Sequence, residues 1–264
     1  MTMQAQGWQV FPAEPAVASW LSTARPAALA AARAASAMAR ALRHGGTWLA
    51  GVDMLDNDSA GRVGQGGALS GAALGAAEAV SGRLPLHRAQ VSVTHPGYPG
   101  RDASESETAF RYRLTRDAAH LDGLLPEGPD KRRHLREPHG FILGIALTEA
   151  SRGAAPLVVY EGSHVLMRAA FRAVFQDVAP QDWGDVDVTE AYQAARRRCF
   201  HDCPRVEIPL SQGQSVLVHR LALHGIAPWA EGATAGPDGR AIAYFRPHLA
   251  AHRRLAGSAV IYAW

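Results

Sequence analysis

GFILGIALTEASRGAAPLVVYEGSH, residues 140–164, is the stretch on which the fold turns. Two short runs rich in Ile, Leu and Val, 140–148 and 156–160, flank a turn-forming segment. They lead through Gly162-Ser163 into a helical run, 165–175, with its N-cap expected at Ser163 or His164. Similar runs recur on both sides: HRAQVSVTH (87–95), AFRYRLT (109–115), VEIPL (206–210), QSVLVH (214–219) and RAIAYFRP (240–247). Gly, Pro, Asp and Ser clusters separate them, and a second helix is expected near 189–198. Many short strands with helices before and between them predict a mainly β chain. Its core, residues 86–250, is expected to be a double-sheet jelly roll, a double-stranded β-helix.

The first 85 residues read differently. Ala27 to Arg43 consists of strong helix formers and stops at His44-Gly45-Gly46, which predicts a helix there. Gly64–Gly82 reads as a close-packed helix or a loop, its glycines weighing against helix. This region is expected to be a helical buttress to the jelly roll, so that residues 1–264 make one domain.

Composition narrows the function classes. There are 27 Lys+Arg against 24 Asp+Glu, and Lys131 is the only lysine. The net charge of +3 is too small to mark a nucleic-acid binder. The clusters Lys131-Arg132-Arg133 and Arg196-Arg197-Arg198 lack interleaved stacking aromatics. No apolar run is long enough to span a membrane and the first residues do not read as a secretory signal, so the expected setting is cytoplasmic. Two cysteines, Cys199 and Cys203, cannot form a disulfide framework and are expected as free thiols.

The chemistry-bearing candidates begin with His120-Leu121-Asp122. In an extended strand, residues two apart share a face, so this pair can bind one metal ion. One such pair is about what chance gives in this composition, so the reading needs a third ligand. LVHRLALHGIAPW (217–229) offers His219 and His224, either of which would complete a two-histidine, one-carboxylate set of the kind found in non-heme Fe(II) oxygenases. Arg240 opens the strand that follows, and a buried guanidinium beside iron suits a dicarboxylate co-substrate.

The order HLDG (120–123), GFILGIALTEASRGAAPLVVYEGSH (140–164), GQSVLVHRLALHG (213–225) and RAIAYFRP (240–247) resembles the phytanoyl-CoA dioxygenase family of Fe(II)/2-oxoglutarate-dependent oxygenases. The resemblance covers about residues 86–250. It implies Fe(II) held by His120, Asp122 and His224, and 2-oxoglutarate held through its distal carboxylate by Arg240. It further implies O2 as oxidant and hydroxylation of a small molecule. Two positions depart from the family pattern: Ile226 stands where a small hydroxyl residue is usual, and Arg240 follows His224 by more residues than is common. Arg246, on the same strand face as Arg240, is the alternative anchor. Within the family the segment containing His134 and His139 roofs the substrate site.

Other readings compete. A cupin-like isomerase or lyase would use the same three ligands without needing Arg240, and a non-catalytic small-molecule binder could share the scaffold. Cys199, His201 and Cys203 offer three zinc donors where a structural site needs four. Ser163 lacks the G-x-S-x-G elbow of a hydrolase nucleophile. Trp48 with Asp53, Asp56 and Asp58 suggests a lid, an oligomer contact or a capped turn.

Overall fold

The computed structural model describes residues 3–38 and 41–249. The remainder, including residue 250 at the end of the expected core, lies outside the described residues. Twelve strands are found among the described residues. They are β1 (Trp8–Phe11), β2 (Leu42–Arg43), β3 (Trp48–Leu49), β4 (Gln90–Thr94), β5 (Leu124–Glu127) and β6 (Arg132–Leu135), followed by β7 (Ile142–Ala146), β8 (Leu157–Tyr160), β9 (Arg205–Ile208), β10 (Ser215–Val218), β11 (His224–Ile226) and β12 (Arg240–Phe245). The helices are α1 (Met3–Gln6), α2 (Pro15–Ser36), α3 (Ala72–Ser81), α4 (Glu107–Arg116), α5 (Ser163–Phe175) and α6 (Thr189–Asp202).

The large sheet has the order β1-β10-β7-β12-β4-β3-β2, and the small one β11-β8-β9. A one-residue bridge, His120 to His224, adds the 120 segment to the free edge of β11. From β4 onward the chain passes to His120, β7, β8, β9, β10, β11 and β12. It thereby crosses repeatedly between sheets, with every pairing antiparallel. That is a jelly roll, the expected fold class. β5 and β6 form a separate hairpin.

Side-chain parity explains why the two sheets close. Ile142, Val216, Val218, Ile242 and Tyr244 from the large sheet pack against Leu157, Val159 and Ile208 from the small one. The alternate residues Leu143, Ile145, Leu217, Ala243 and Phe245 join the helix-containing core with Trp20, Leu21 and Ala28 of α2. Strands covered on both faces are apolar at nearly every position, which is why β7, β8, β10 and β12 are buried throughout. On the other side, Phe200 of α6 meets the Tyr160 ring of β8 edge-on, with centroids 5.0 Å apart.

Several expected elements are corrected. AFRYRLT (109–115) is helix α4, not strand. Its aromatic–arginine alternation satisfies a period of two, but Ser106 caps the amide of Ala109 and the buried side chain is Arg113, paired with Glu105. The helix expected over 27–43 is α2, which starts at Pro15, runs through Pro26 and stops at Ser36; Leu42 and Arg43 are strand. Pro26 costs a backbone hydrogen bond. Burial of Trp20, Leu21, Ala24, Ala28 and Leu29 along one face holds the helix together across it. Gly64–Gly82 is helical only over α3. The cap of α5 is Gly162 in the left-handed region, with Ser163 as the first helical residue. The N-terminal region also supplies strands, since β1 and β2–β3 extend the large sheet at opposite edges.

The arginine clusters are engaged within the chain. Arg132 pairs with Asp187 and Glu190, Arg198 with Asp202, and Arg196 lies over the rings of Tyr112 and Tyr192. Among the described residues, no helix is long and apolar enough to cross a membrane.

Candidate metal centre

His120, Asp122 and His224 converge, with one ligand atom from each within 4.8 Å of the others. Three local devices bring them there. Asp117, in the left-handed region at φ 56°, turns the chain out of α4. Its buried carboxylate accepts two hydrogen bonds from Arg205, at 2.9 and 2.7 Å, and one from the Tyr160 hydroxyl at 3.1 Å. The following segment then lies against β11, where His120 and His224 exchange backbone hydrogen bonds of 2.8 and 3.2 Å. Gly225 permits the approach: a Cβ there would stand 2.1 Å from the Asp117 carbonyl oxygen. After Asp122 the chain turns at Gly123, φ 81°, where a Cβ would meet the Glu137 carbonyl oxygen at 2.1 Å.

The ring orientations are set by the backbone. His120 Nδ1 donates to the Ala118 carbonyl at 3.0 Å and His224 Nδ1 to the Ala222 carbonyl at 2.9 Å. Both Nε2 atoms are thereby left to face Asp122, at 3.3 and 3.6 Å. Fixing the tautomer from behind is how a protein prepares histidine as a metal ligand. Arg246 Nη1 lies 3.2 Å from Asp122 Oδ1. Burial favours a neutral Asp122, but hydrogen bonds from His120 and His224 and the charge of Arg246 hold it well below the ordinary carboxylate range. For His120, loss of surrounding water opposes charging, and the contacts to Asp122 outweigh it and raise the imidazole. The pocket attracts positive charge.

Arg240 occupies the far end of the same inner strand face, with Ile242 and Tyr244 following at even spacing on β12 and Arg246 just past its end. It is 4% exposed, and both terminal guanidinium nitrogens are buried without a hydrogen-bond partner among the described residues. Directly opposite in the register stands Thr94, whose hydroxyl is also buried and unpartnered. At the metal-ligand end lies a cavity of about 240 Å³ that His120, Asp122, Ser92, Ile142, Tyr244 and Arg246 help to line; Arg240 and Thr94 do not line it.

The remaining candidates fall elsewhere. His219 is buried beside His164, ring centroids 4.8 Å apart, and its Nδ1 accepts from the Leu221 amide. Ser163 Oγ accepts from the Leu223 amide at 2.8 Å, next to His224 in sequence, so it steadies the backbone of the centre. Cys199 is buried on α6, both cysteines are free, and His201 is exposed beside Asp202, so no zinc set forms. Trp48 does line the cavity and donates to Ser92 Oγ at 3.0 Å. Asp56 and Asp58 are spent on Arg88 and Arg62. Sequence reasoning missed Thr94, which carries no motif, and the placement of Arg246 on a ligand carboxylate.

No protein-family model and no curated protein matches the sequence. Among solved structures, the chain is similar to the non-heme alpha ketoglutarate dependent carbocyclase SnoK from nogalamycin biosynthesis. That match has 15% identity and a TM-score of 0.43, over 92% of this chain and 81% of that one. It is also similar to EctD from S. alaskensis with 2-oxoglutarate and 5-hydroxyectoine, at 16% identity and a TM-score of 0.42, over 92% and 72%. A third is AviO1 from Streptomyces viridochromogenes Tue57, at 16% identity and a TM-score of 0.40, over 92% and 91%. At such values the functional reading has to come from this chain's own side chains.

Proposed function

We propose that the chain is an Fe(II)- and 2-oxoglutarate-dependent oxygenase that hydroxylates a small molecule, with residues 1–264 acting as one domain. The observation that carries this reading is the His120–Asp122–His224 cluster, with both histidine tautomers fixed from behind and their Nε2 atoms aimed at one carboxylate. Two imidazoles and a carboxylate, with the other coordination positions left to exogenous ligands, suit Fe(II). The orphaned guanidinium of Arg240 opposite the orphaned hydroxyl of Thr94 suits the distal carboxylate of the co-substrate.

When bound, Fe(II) with 2-oxoglutarate supplies O2 activation coupled to decarboxylation, releasing succinate and CO2. The chain's own part is to hold and to orient. His120, Asp122 and His224 fix the ion. Arg240, with Thr94 beside it, would hold the far carboxylate of the co-substrate. Arg246 is assigned to Asp122 and not to the co-substrate, because its guanidinium is within 3.2 Å of that carboxylate. Ile142, Leu157 and Val218 keep the cavity walls apolar, which strengthens each charged contact inside it.

The test is iron analysis of the purified protein, together with succinate formation from 2-oxoglutarate across a panel of small metabolites. Iron retention and substrate-stimulated succinate are expected. Iron without succinate or 2-oxoglutarate binding would overturn the oxygenase reading in favour of a cupin-like isomerase or lyase.

A further inference from the structure

A second group of metal-ligating side chains lies behind the first. Glu137, His139 and His248 each offer a ligand atom within 4.8 Å of the others. The scaffold beneath them is continuous. Residues 139 and 248 form a β-bridge, Gly140 donates to the Pro247 carbonyl at 2.7 Å, and Leu249 donates to the Pro138 carbonyl at 2.8 Å. The rings of His139 and His248 stand 5.0 Å apart at 72°.

The hydrogen-bond arithmetic of His139 makes this more than proximity. Its side chain is 4% exposed. Its Nδ1 lies 2.8 Å from the Arg246 carbonyl, to which it must donate. The Nε2 lone pair then faces Glu137 Oε2 at 3.6 Å, and Nε2 has no hydrogen-bond partner among the described residues. The other neutral tautomer only moves the conflict, setting an Nδ1 lone pair against the Arg246 carbonyl. Each neutral form therefore leaves one nitrogen of the buried ring facing an acceptor; the Glu137 carboxylate is itself 42% exposed, and a cation between ring and carboxylate would satisfy both. A proton on the ring would serve, but burial pushes the imidazolium down to about 4.

We propose that Glu137, His139 and His248 bind a second divalent metal ion of borderline softness, Zn(II) being the best match to two imidazoles and a carboxylate. The Nδ1 donation to the Arg246 carbonyl fixes the ligand tautomer, as the Ala118 and Ala222 carbonyls do in the first centre. His248 is exposed, so an ion can arrive from solvent. Three protein ligands leave a fourth position open. Glu137 and His139 line an apolar cavity that also touches Asp122, together with Leu121, Phe171 and Leu249. The ion would clamp the 137–139 segment to the end of β12, where Arg246 reaches Asp122.

This inference does not depend on 2-oxoglutarate. Chelator-stripped protein is titrated with Zn(II) by calorimetry, and with Co(II) followed by its visible absorption, in the wild type, His248→Ala, His224→Ala and the double variant. Because His248 is exposed, its truncation removes nothing from the core. Two ions are expected in the wild type, one in each single variant and none in the double, with a Co(II) band persisting in His224→Ala. A wild-type ion lost in His248→Ala but kept in His224→Ala would uphold this site while counting against the first centre. One wild-type ion that His224→Ala abolishes and His248→Ala leaves unchanged in affinity would overturn the second site.

Discussion

The two ends of the inner face of β12 are built on opposite electrostatic plans. At one end His120, Asp122 and His224 surround a carboxylate held well below its ordinary range, with Arg246 as the balancing charge. At the other, Arg240 and Thr94 present donors that find no acceptor among the described residues. The first end is prepared for a cation and can partly compensate itself with its own histidines and arginine. The second end has no such remedy among the described residues, and a buried guanidinium calls for a partner. A ligand with an anionic tail and a metal-chelating head satisfies both at once.

The largest expected effect breaks the cation end. His224→Ala should abolish iron retention, measured by metal analysis after gel filtration, whereas His219→Ala should retain iron because that ring packs on His164. The reverse outcome would place the third ligand on the wrong histidine.

The next effect isolates the anion end. Breaking a buried charged pair costs about 3–5 kcal/mol. At about 1.4 kcal/mol per decade, Arg240→Ala should weaken 2-oxoglutarate binding at least about a hundredfold while iron still binds. Anaerobic titration of the Fe(II) protein, following the chelate absorption band, reads this directly. Arg246→Ala should change that titration by a few-fold at most, and an exchange of the two results would move the anchor to Arg246. Arg240→Met adds a sharper reading. It removes the orphaned donors and should stabilise the ligand-free protein by about 1–3 kcal/mol in urea unfolding while losing 2-oxoglutarate binding. Destabilisation instead would mean that Arg240 serves the fold.

A smaller effect approaches the cation end from behind. Gly225→Ala sets a methyl against the Asp117 carbonyl, so the His120 segment must move away from β11. Overpacking of this kind costs about 1–3 kcal/mol, and iron affinity should fall with stability. Wild-type affinity in a fully folded Gly225→Ala protein would show that the close approach is not what aligns His120.

The smallest effect is a control at a third charged place, in solvent. Asp187 accepts from the Thr189 hydroxyl and amide at the start of α6 and pairs with Arg132, contacts that lower its carboxyl to about 2. A depressed folded value stabilises the protein above the unfolded carboxylate range, and that stability is lost as pH falls through the folded value. Asp187→Asn should therefore be less stable than wild type at pH 5–7, with the gap closing as pH drops toward about 2. Chemical denaturation at several pH values checks it. The pair is exposed, so its effect should fall below those at both buried ends.

Local chemistry made much of this legible from the sequence. The β-branched runs at 140–148, 156–160 and 214–219 are strands because their side chains fit a pleated, doubly covered surface, whatever their partners. His120-x-Asp122 stands out because metal ligation needs particular atoms at particular spacings. Where two local readings satisfied the same residues, the sequence misled. The alternation in 109–115 suits a strand, yet a capped helix with Arg113 turned inward suits it better once Glu105 is beside it. A helix beginning at Ala27 gives way to one beginning at Pro15 once Trp20 and Leu21 are seen buried on the same helix.

What only the tertiary structure decided is which distant groups meet. Nothing local distinguishes His224 from His219, five residues earlier, until β11 carries one to Asp122 and the other packs on α5. Arg240 and Arg246 share a strand face, and only the closing of the two sheets gives one of them a carboxylate and leaves the other without a partner. His139 and Arg246 stand 107 residues apart in the chain, so no motif could announce the second ligand cluster. The physical reason is common to all three. Residue type and spacing set what a side chain can do, while the desolvated charge it must answer to is brought to it by chain segments far away in sequence.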